Sequence, residues 1–154
     1  MKILIMSDSH GNAKQIEQTI KTECPDAIIH LGDGWRDLPQ DIGIPCWRVR
    51  GNCDGPACNF PEKQIIEFGN VRVFITHGHL YNVKFSLMRL KLAAMEADAS
   101  LALFGHTHSA FMDLDANGTS LFNPGTIGRS SGSYGIMETD GKEFTLYHVS
   151  LQDM

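Results

Sequence analysis

Residues 101–108 read LALFGHTH, and the reading of this stretch decides the reading of the chain. Four apolar residues make a run of the kind a fully buried strand carries. Gly105 ends the run, and His106 and His108 follow with only Thr107 between them. Two imidazoles on alternate positions at the tip of a buried strand are poorly explained as mere surface. The question is whether other apolar runs end the same way.

They do. The run at 3–6 (ILIM) ends in Ser7-Asp8-Ser9-His10, and AIIHL at 27–31 ends in Gly32-Asp33. CWRVR at 46–50 ends in Gly51-Asn52-Cys53-Asp54, and VRVFIT at 71–76 ends in His77-Gly78-His79. TSLF at 119–122 ends in Asn123-Pro124-Gly125-Thr126. In open α/β sheets such tips converge on a crevice where ligands bind. The tips offer Asp8, His10, Asp33, Asn52, His77, His106 and His108. This is more oxygen and nitrogen than one divalent ion in a catalytic site takes from protein. It suits two ions sharing a carboxylate, the arrangement used for in-line displacement at phosphorus. Mixed imidazole and carboxylate donors without sulfur favour Mn, Fe, Zn, Co or Ni over Ca or Mg. Each piece has a bland reading of its own: Asp-x-His as a capping turn, Gly-Asp as chance, Asn in GNCD as a turn residue. Their joint occurrence in this order points to metal.

Around these tips the elements alternate. NAKQIEQTIKTE (12–23) has the helical period, with Ile16 and Ile20 on one face and Asn12 as N-cap. SLMRLKLAAMEA (86–97) is a second helix with Leu87, Leu90, Ala94 and Ala97 inward. Strands at 63–68 and 71–76 flank Gly69-Asn70, a tight hairpin turn. Two further hairpins, at 110–123 and 134–149, centre on Asn117-Gly118 and Asp140-Gly141. The chain thus begins in α/β style and finishes in antiparallel hairpins. Two sheets face to face with helices outside would bury both, an α/β sandwich in one domain over residues 1–154.

Bulk properties narrow the function. A formal net charge of -5 with no cluster of Lys and Arg argues against a protein that neutralises many nucleic-acid phosphates. It argues equally against a polybasic membrane patch. No apolar run approaches the roughly 20 residues a membrane span needs. The start MKILIMSDSH turns polar too soon for a signal peptide. Cys24, Cys46, Cys53 and Cys58 lack CxxC spacing, which fits free thiols in a reducing cytoplasm.

The ordered set Asp8-x-His10, Gly32-Asp33, Gly51-Asn52, His77 and Gly105-His106-x-His108 resembles the calcineurin-like metallophosphoesterases. The match runs from residue 8 to the NPGT near 126, and the GNCD and NPGT forms resemble the small prokaryotic phosphodiesterases. The resemblance implies a four-layer α/β/β/α sandwich of two mixed sheets, the metallo-dependent phosphatase-like fold. It implies one ion, with Mn the first choice and Ni, Co, Fe or Zn behind it, held by Asp8, His10, Asp33 and His108. It implies a second held by Asp33, Asn52, His77 and His106, with Asp33 shared. A hydroxide bridging the ions would then attack the phosphorus of a small phosphate diester, so that Asp33, Asn52 and His77 count as catalytic. Many members carry His directly after the metal-binding Asn; here Cys53 stands there. An ordinary thiol is a poorer acid partner for the leaving group near neutrality, so Asp54, which reads equally as a turn residue, and His79 become candidates for that role and, with Cys53, for substrate contact. Arg129 is a candidate for holding a substrate phosphate. Two competing readings remain: a non-catalytic interaction scaffold of the same fold, as in the retromer subunit resembling these enzymes, and a metal-dependent nuclease. The full ligand set favours an enzyme and the acidic balance disfavours nucleic acid. Exposed strand edges are compatible with a homo-oligomer.

Overall fold

The structure, a computed structural model, describes residues 1–153. Strand β1 (Lys2–Met6) explains the layering. Successive side chains on a strand face opposite ways. Ile3 and Ile5 enter one apolar cluster, and Leu4 and Met6 enter another. All four are fully buried, so β1 has no solvent face. Helix α1 (Ala13–Glu23) covers Leu4 and Met6 with Ile16 and Ile20. Asn12 caps it by accepting from the Gln15 N–H.

The chain continues through β2 (Ala27–His30), β3 (Cys46–Arg48), β4 (Lys63–Phe68) and β5 (Val71–Thr76). It then forms helix α2 (Met88–Glu96), β6 (Leu101–Leu103), β7 (Phe111–Asp113), β8 (Ser120–Asn123), β9 (Ser133–Thr139) and β10 (Phe144–Ser150). The strands form two mixed five-stranded sheets, ordered β10-β9-β1-β2-β3 and β4-β5-β6-β8-β7. Ile3, Ile5 and Ile29 of the first sheet meet Val73, Ile75, Leu101, Leu103 and Phe122 of the second in the central core. Each such side chain stabilises the fold by about 1.5–3 kcal/mol on burial. On the far side of the second sheet, Phe74, Ala102 and Leu121 pack against Leu90 and Ala94 of α2. The layers are therefore α1, sheet, sheet, α2. No helix among the described residues is long and apolar enough to cross a membrane.

Two details differ from the sequence expectation. Helix α2 starts at Met88, two residues late, because the Ser86 hydroxyl accepts the Met88 N–H. The last two hairpins also do not form one antiparallel region. β9 and β10 extend the first sheet from the free edge of β1, whereas β8 runs parallel to β6 in the second. That parallel placement brings the ends of β5, β6 and β8 to one side, facing the ends of β1, β2 and β3. Backbone bonds tie the two groups together: Gly105 N–H to His77 O at 2.9 Å and Ile127 N–H to Ser7 O at 3.1 Å.

Candidate metal centre

At this joint edge lie two clusters of ligand atoms, Asp8–His10–His108 and Asp33–His77–His106, with the atoms of each within 4.8 Å of one another. Nε2 of His108 is 3.2 Å from Asp8 Oδ1, and Nε2 of His77 is 3.3 Å from Asp33 Oδ2. His10 spans the clusters, its Nε2 lying 3.6 Å from Asp8 Oδ1 and 3.7 Å from Asp33 Oδ2. Chain geometry at the tips is unusual. Asp8, His10, Asp33, His106 and His108 all have positive φ, between 43° and 70°. Residues with a Cβ adopt this region at a cost, and such strain concentrates at functional sites. Two glycines allow the tips to meet. A Cβ on Gly51 would stand 2.1 Å from Asp33 Oδ1, and one on Gly105 would stand 2.0 Å from Ser7 Oγ.

The hydrogen bonds sort the ligand atoms into those held and those free. Asp33 Oδ1 accepts the Cys53 N–H at 2.8 Å, leaving Oδ2 toward His10 and His77. Asp8 Oδ2 accepts from the Ser7 hydroxyl and the His106 N–H. Its Oδ1 is buried without a hydrogen-bond partner, as is Nε2 of His77. His77 donates from Nδ1 to the Leu31 carbonyl at 2.7 Å, so a neutral ring has only a lone pair at Nε2. A lone pair facing two carboxylates in a dry site is repulsive unless a cation or a proton stands between. Burial pushes the Asp33 carboxyl up, but His77, the Cys53 amide and His10 overcome it and hold the group well below the usual range. Burial lowers the His77 ring, yet Asp33 and Asp8 outweigh it and raise it. Burial and then the His77 charge bring His106 down to about 4, which keeps it neutral and ready to ligate. These residues fit divalent cations.

The remaining candidates are placed less uniformly. Asn52 is exposed at the same tip, its amide turned to the Cys53 sulfur at 3.4 Å. Cys53 lies with His10 and Asp33 in a third possible ligand group, but burial and then Asp33 push its thiol up. It is therefore a weak acid and a reluctant thiolate. Asp54 is engaged by the backbone. Its oxygens accept the N–H groups of Asp33, Gly34 and Gly51 at 2.6–2.9 Å, which clasps the β2 tip to the β3 tip. His79 has its ring 5.4 Å from that of His77, with Nδ1 buried and unpartnered. Arg129 is exposed and lines a hollow of about 230 Å³ with Asp8, His10, His108, Thr126 and Gly128. A second hollow of about 250 Å³, also lined by His10, is bordered by Asp33, Trp35, Arg36 and Cys53 among others. A larger hollow of about 520 Å³ at the opposite end of β1, beside Met1 and Asp26, contains none of the ligands.

The family model for the calcineurin-like phosphoesterase superfamily domain matches residues 1–148. The chain belongs to this superfamily. A "Probable metallophosphoesterase" of Bacillus subtilis is 32% identical over 152 residues, covering 95% of this chain and 89% of that protein. A phosphodiesterase of Methanocaldococcus jannaschii is 28% identical, covering 94% and 96%. The crystal structure of a predicted phosphoesterase from Streptococcus pneumoniae aligns with a TM-score of 0.81 at 29% identity, covering 98% and 90%. Vps29 of Entamoeba histolytica, solved with zinc, aligns at 0.77 and 20% identity, covering 99% and 94%, a likeness of fold alone. As a calcineurin-like phosphoesterase, the chain carries candidate divalent-metal ligands at the joint edge of its two sheets. Ser9, His30 and Asp37 lie near this edge and are not among the residues the sequence marks out. The only visible signal was His30, a polar residue inside an otherwise apolar strand.

Proposed function

We propose that this superfamily member is a metal-dependent phosphodiesterase of the cytoplasm that hydrolyses small phosphate diesters. Asp8, His10, Asp33 and His108 would hold one divalent cation, and Asp33, Asn52, His77 and His106 the other. Mn matches the donor set, with Ni, Co, Fe and Zn as alternatives. The observation carrying this reading is the buried pair of unpartnered ligand atoms, Asp8 Oδ1 and His77 Nε2, at the centre of the gathered tips. Bound cations supply Lewis acidity at phosphorus and lower the pKa of coordinated water. The chain's own contribution is orientation. The Leu31 carbonyl fixes the His77 ring, and the Cys53 and His106 amides fix Asp33 and Asp8.

The preference for a diester is supported by the two hollows that share His10 in their lining, each with room for a substituent. It is also supported by the name of the M. jannaschii relative. Arg129 lines one hollow and would meet an anionic part of the substrate. Cys53 lines the other, and its raised thiol protonates a leaving group poorly. His79, lowered by burial and then by the charge of His77, is the remaining acid candidate. The enzyme should therefore favour esters with good leaving groups. Four free cysteines agree with a reducing compartment.

The test is a panel of phosphate mono- and diesters, aryl and alkyl, assayed with added Mn, Ni or Co after metal removal. The expected result is metal-dependent turnover of aryl diesters above alkyl diesters and monoesters. Cleavage of monoesters alone, or equal activity after chelation, would contradict the proposal.

A further inference from the structure

Ser9 stands between the candidate ligands Asp8 and His10, and its side chain is wholly buried. Its hydroxyl oxygen lies 2.6 Å from Asp37 Oδ2 and 3.1 Å from His30 Nε2. The single hydroxyl proton goes to Asp37 Oδ2, much nearer than the Gly34 carbonyl at 3.5 Å, and the Ser9 oxygen accepts from His30, which must be protonated at Nε2. The other ring nitrogen of His30 accepts the Gly32 N–H at 3.1 Å and so carries no proton. One tautomer of a neutral ring satisfies every group, and burial agrees by bringing His30 down to about 4. The chain has a single direction: Gly32 N–H to His30, His30 to Ser9, Ser9 to Asp37.

This chain ends where the ligands begin. Asp37 Oδ2 also accepts the Gly11 N–H at 2.8 Å, so it grips the residues on both sides of His10. His30 reaches Gly32, the residue before Asp33. The two tips are further joined by Asp8 N–H to Gly32 O and His10 N–H to Asp33 O, at 2.9 and 3.0 Å. Asp8, His10 and Asp33 all hold positive φ. Residues so placed relax unless surrounding bonds over-determine them. The loop is also shaped around the contact: a Cβ on Gly34 would stand 1.9 Å from Ser9 Oγ and 2.6 Å from Asp37 Oδ2.

We infer that Asp37, Ser9 and His30 form a buried hydrogen-bond chain of positioning residues that holds the backbone of Asp8, His10 and Asp33 in the cation-binding conformation. The inference rests on the reading of those three as metal ligands. It is independent of which ester is cleaved.

The test measures Mn²⁺ binding to the metal-free full chain by the electron paramagnetic resonance signal of the free ion, with thermal melting of each metal-free protein alongside. Asp37→Ala removes the terminal acceptor, and Ser9→Ala cuts the chain in the middle. Asp37→Asn removes the charge but keeps an oxygen that accepts from Ser9 and Gly11. Both alanine variants should weaken Mn²⁺ binding about 10- to 100-fold, the range seen when partners of metal ligands are removed. Asp37→Asn should bind nearly as the wild type does. Unchanged affinity in both alanine variants overturns the inference and leaves the ligand reading standing. Equal weakening in Asp37→Asn and Asp37→Ala overturns it too, since charge rather than bond geometry would then govern. If Asp37→Ala does not fold, Ser9→Ala decides. A wild-type protein that binds none of Mn²⁺, Ni²⁺, Co²⁺, Fe²⁺ and Zn²⁺ overturns both this inference and the ligand reading.

Discussion

His30 shows what a single buried imidazole does for this protein. Its folded value of about 4 lies below the ordinary 6.5, because burial disfavours the charged ring. In the unfolded chain the ring titrates near 6.5. The stabilisation is therefore complete above about pH 6.5 and is lost as pH falls toward 4, where the unfolded state takes up a proton that the folded state refuses. Up to about 3 kcal/mol is at stake over this window. Urea unfolding of the metal-free protein between pH 4 and 7 should show this slope, and His30→Asn should flatten it. An identical slope in the variant would remove His30 from the account. The candidate ligands were legible in the sequence because each follows an apolar run and a turn. Ser9, His30 and Asp37 were not, because a bond between residues more than 20 positions apart leaves no spacing to read. The backbone contacts of Asp54 were hidden for the same reason: its partners are backbone amides of another strand's tip.

Elements bring the tips within reach, and glycine at their ends sets how near. Gly105 closes β6 against Ser7 and Asp8. An added methyl there would collide with Ser7 Oγ at 2.0 Å and Asp8 Oδ2 at 2.7 Å. Gly105→Ala should lose about 1–3 kcal/mol of stability by overpacking, read from urea midpoints. It should also lower bound metal in mass spectrometry. A fully stable, fully loaded variant would show that the β6 and β1 tips do not meet. The strands, both helices and the hairpin around Gly69-Asn70 were readable from periodicity and turn residues. The parallel pairing of β8 with β6 was not. A turn such as Asn117-Gly118 specifies the neighbour across the hairpin and says nothing of the strand on the other edge.

At the scale of the whole molecule, two mixed sheets pack face to face and each carries one helix on its outer side. The ends of six strands, three parallel in each sheet, are thereby turned to a common edge, where a chain of net charge -5 gathers carboxylates and histidines. Asp8 and Asp33 are almost entirely buried there. Desolvated carboxylates need compensation, and Asp8 Oδ1 makes no hydrogen bond despite the histidines near it. Paired cations would supply it. The direct measurement is anomalous scattering from a crystal of this protein soaked in Mn²⁺. The account predicts two peaks, one among Asp8, His10 and His108 and one among Asp33, His77 and His106, with Asp33 touching both. A single peak, or ions bound only away from these side chains, would contradict it.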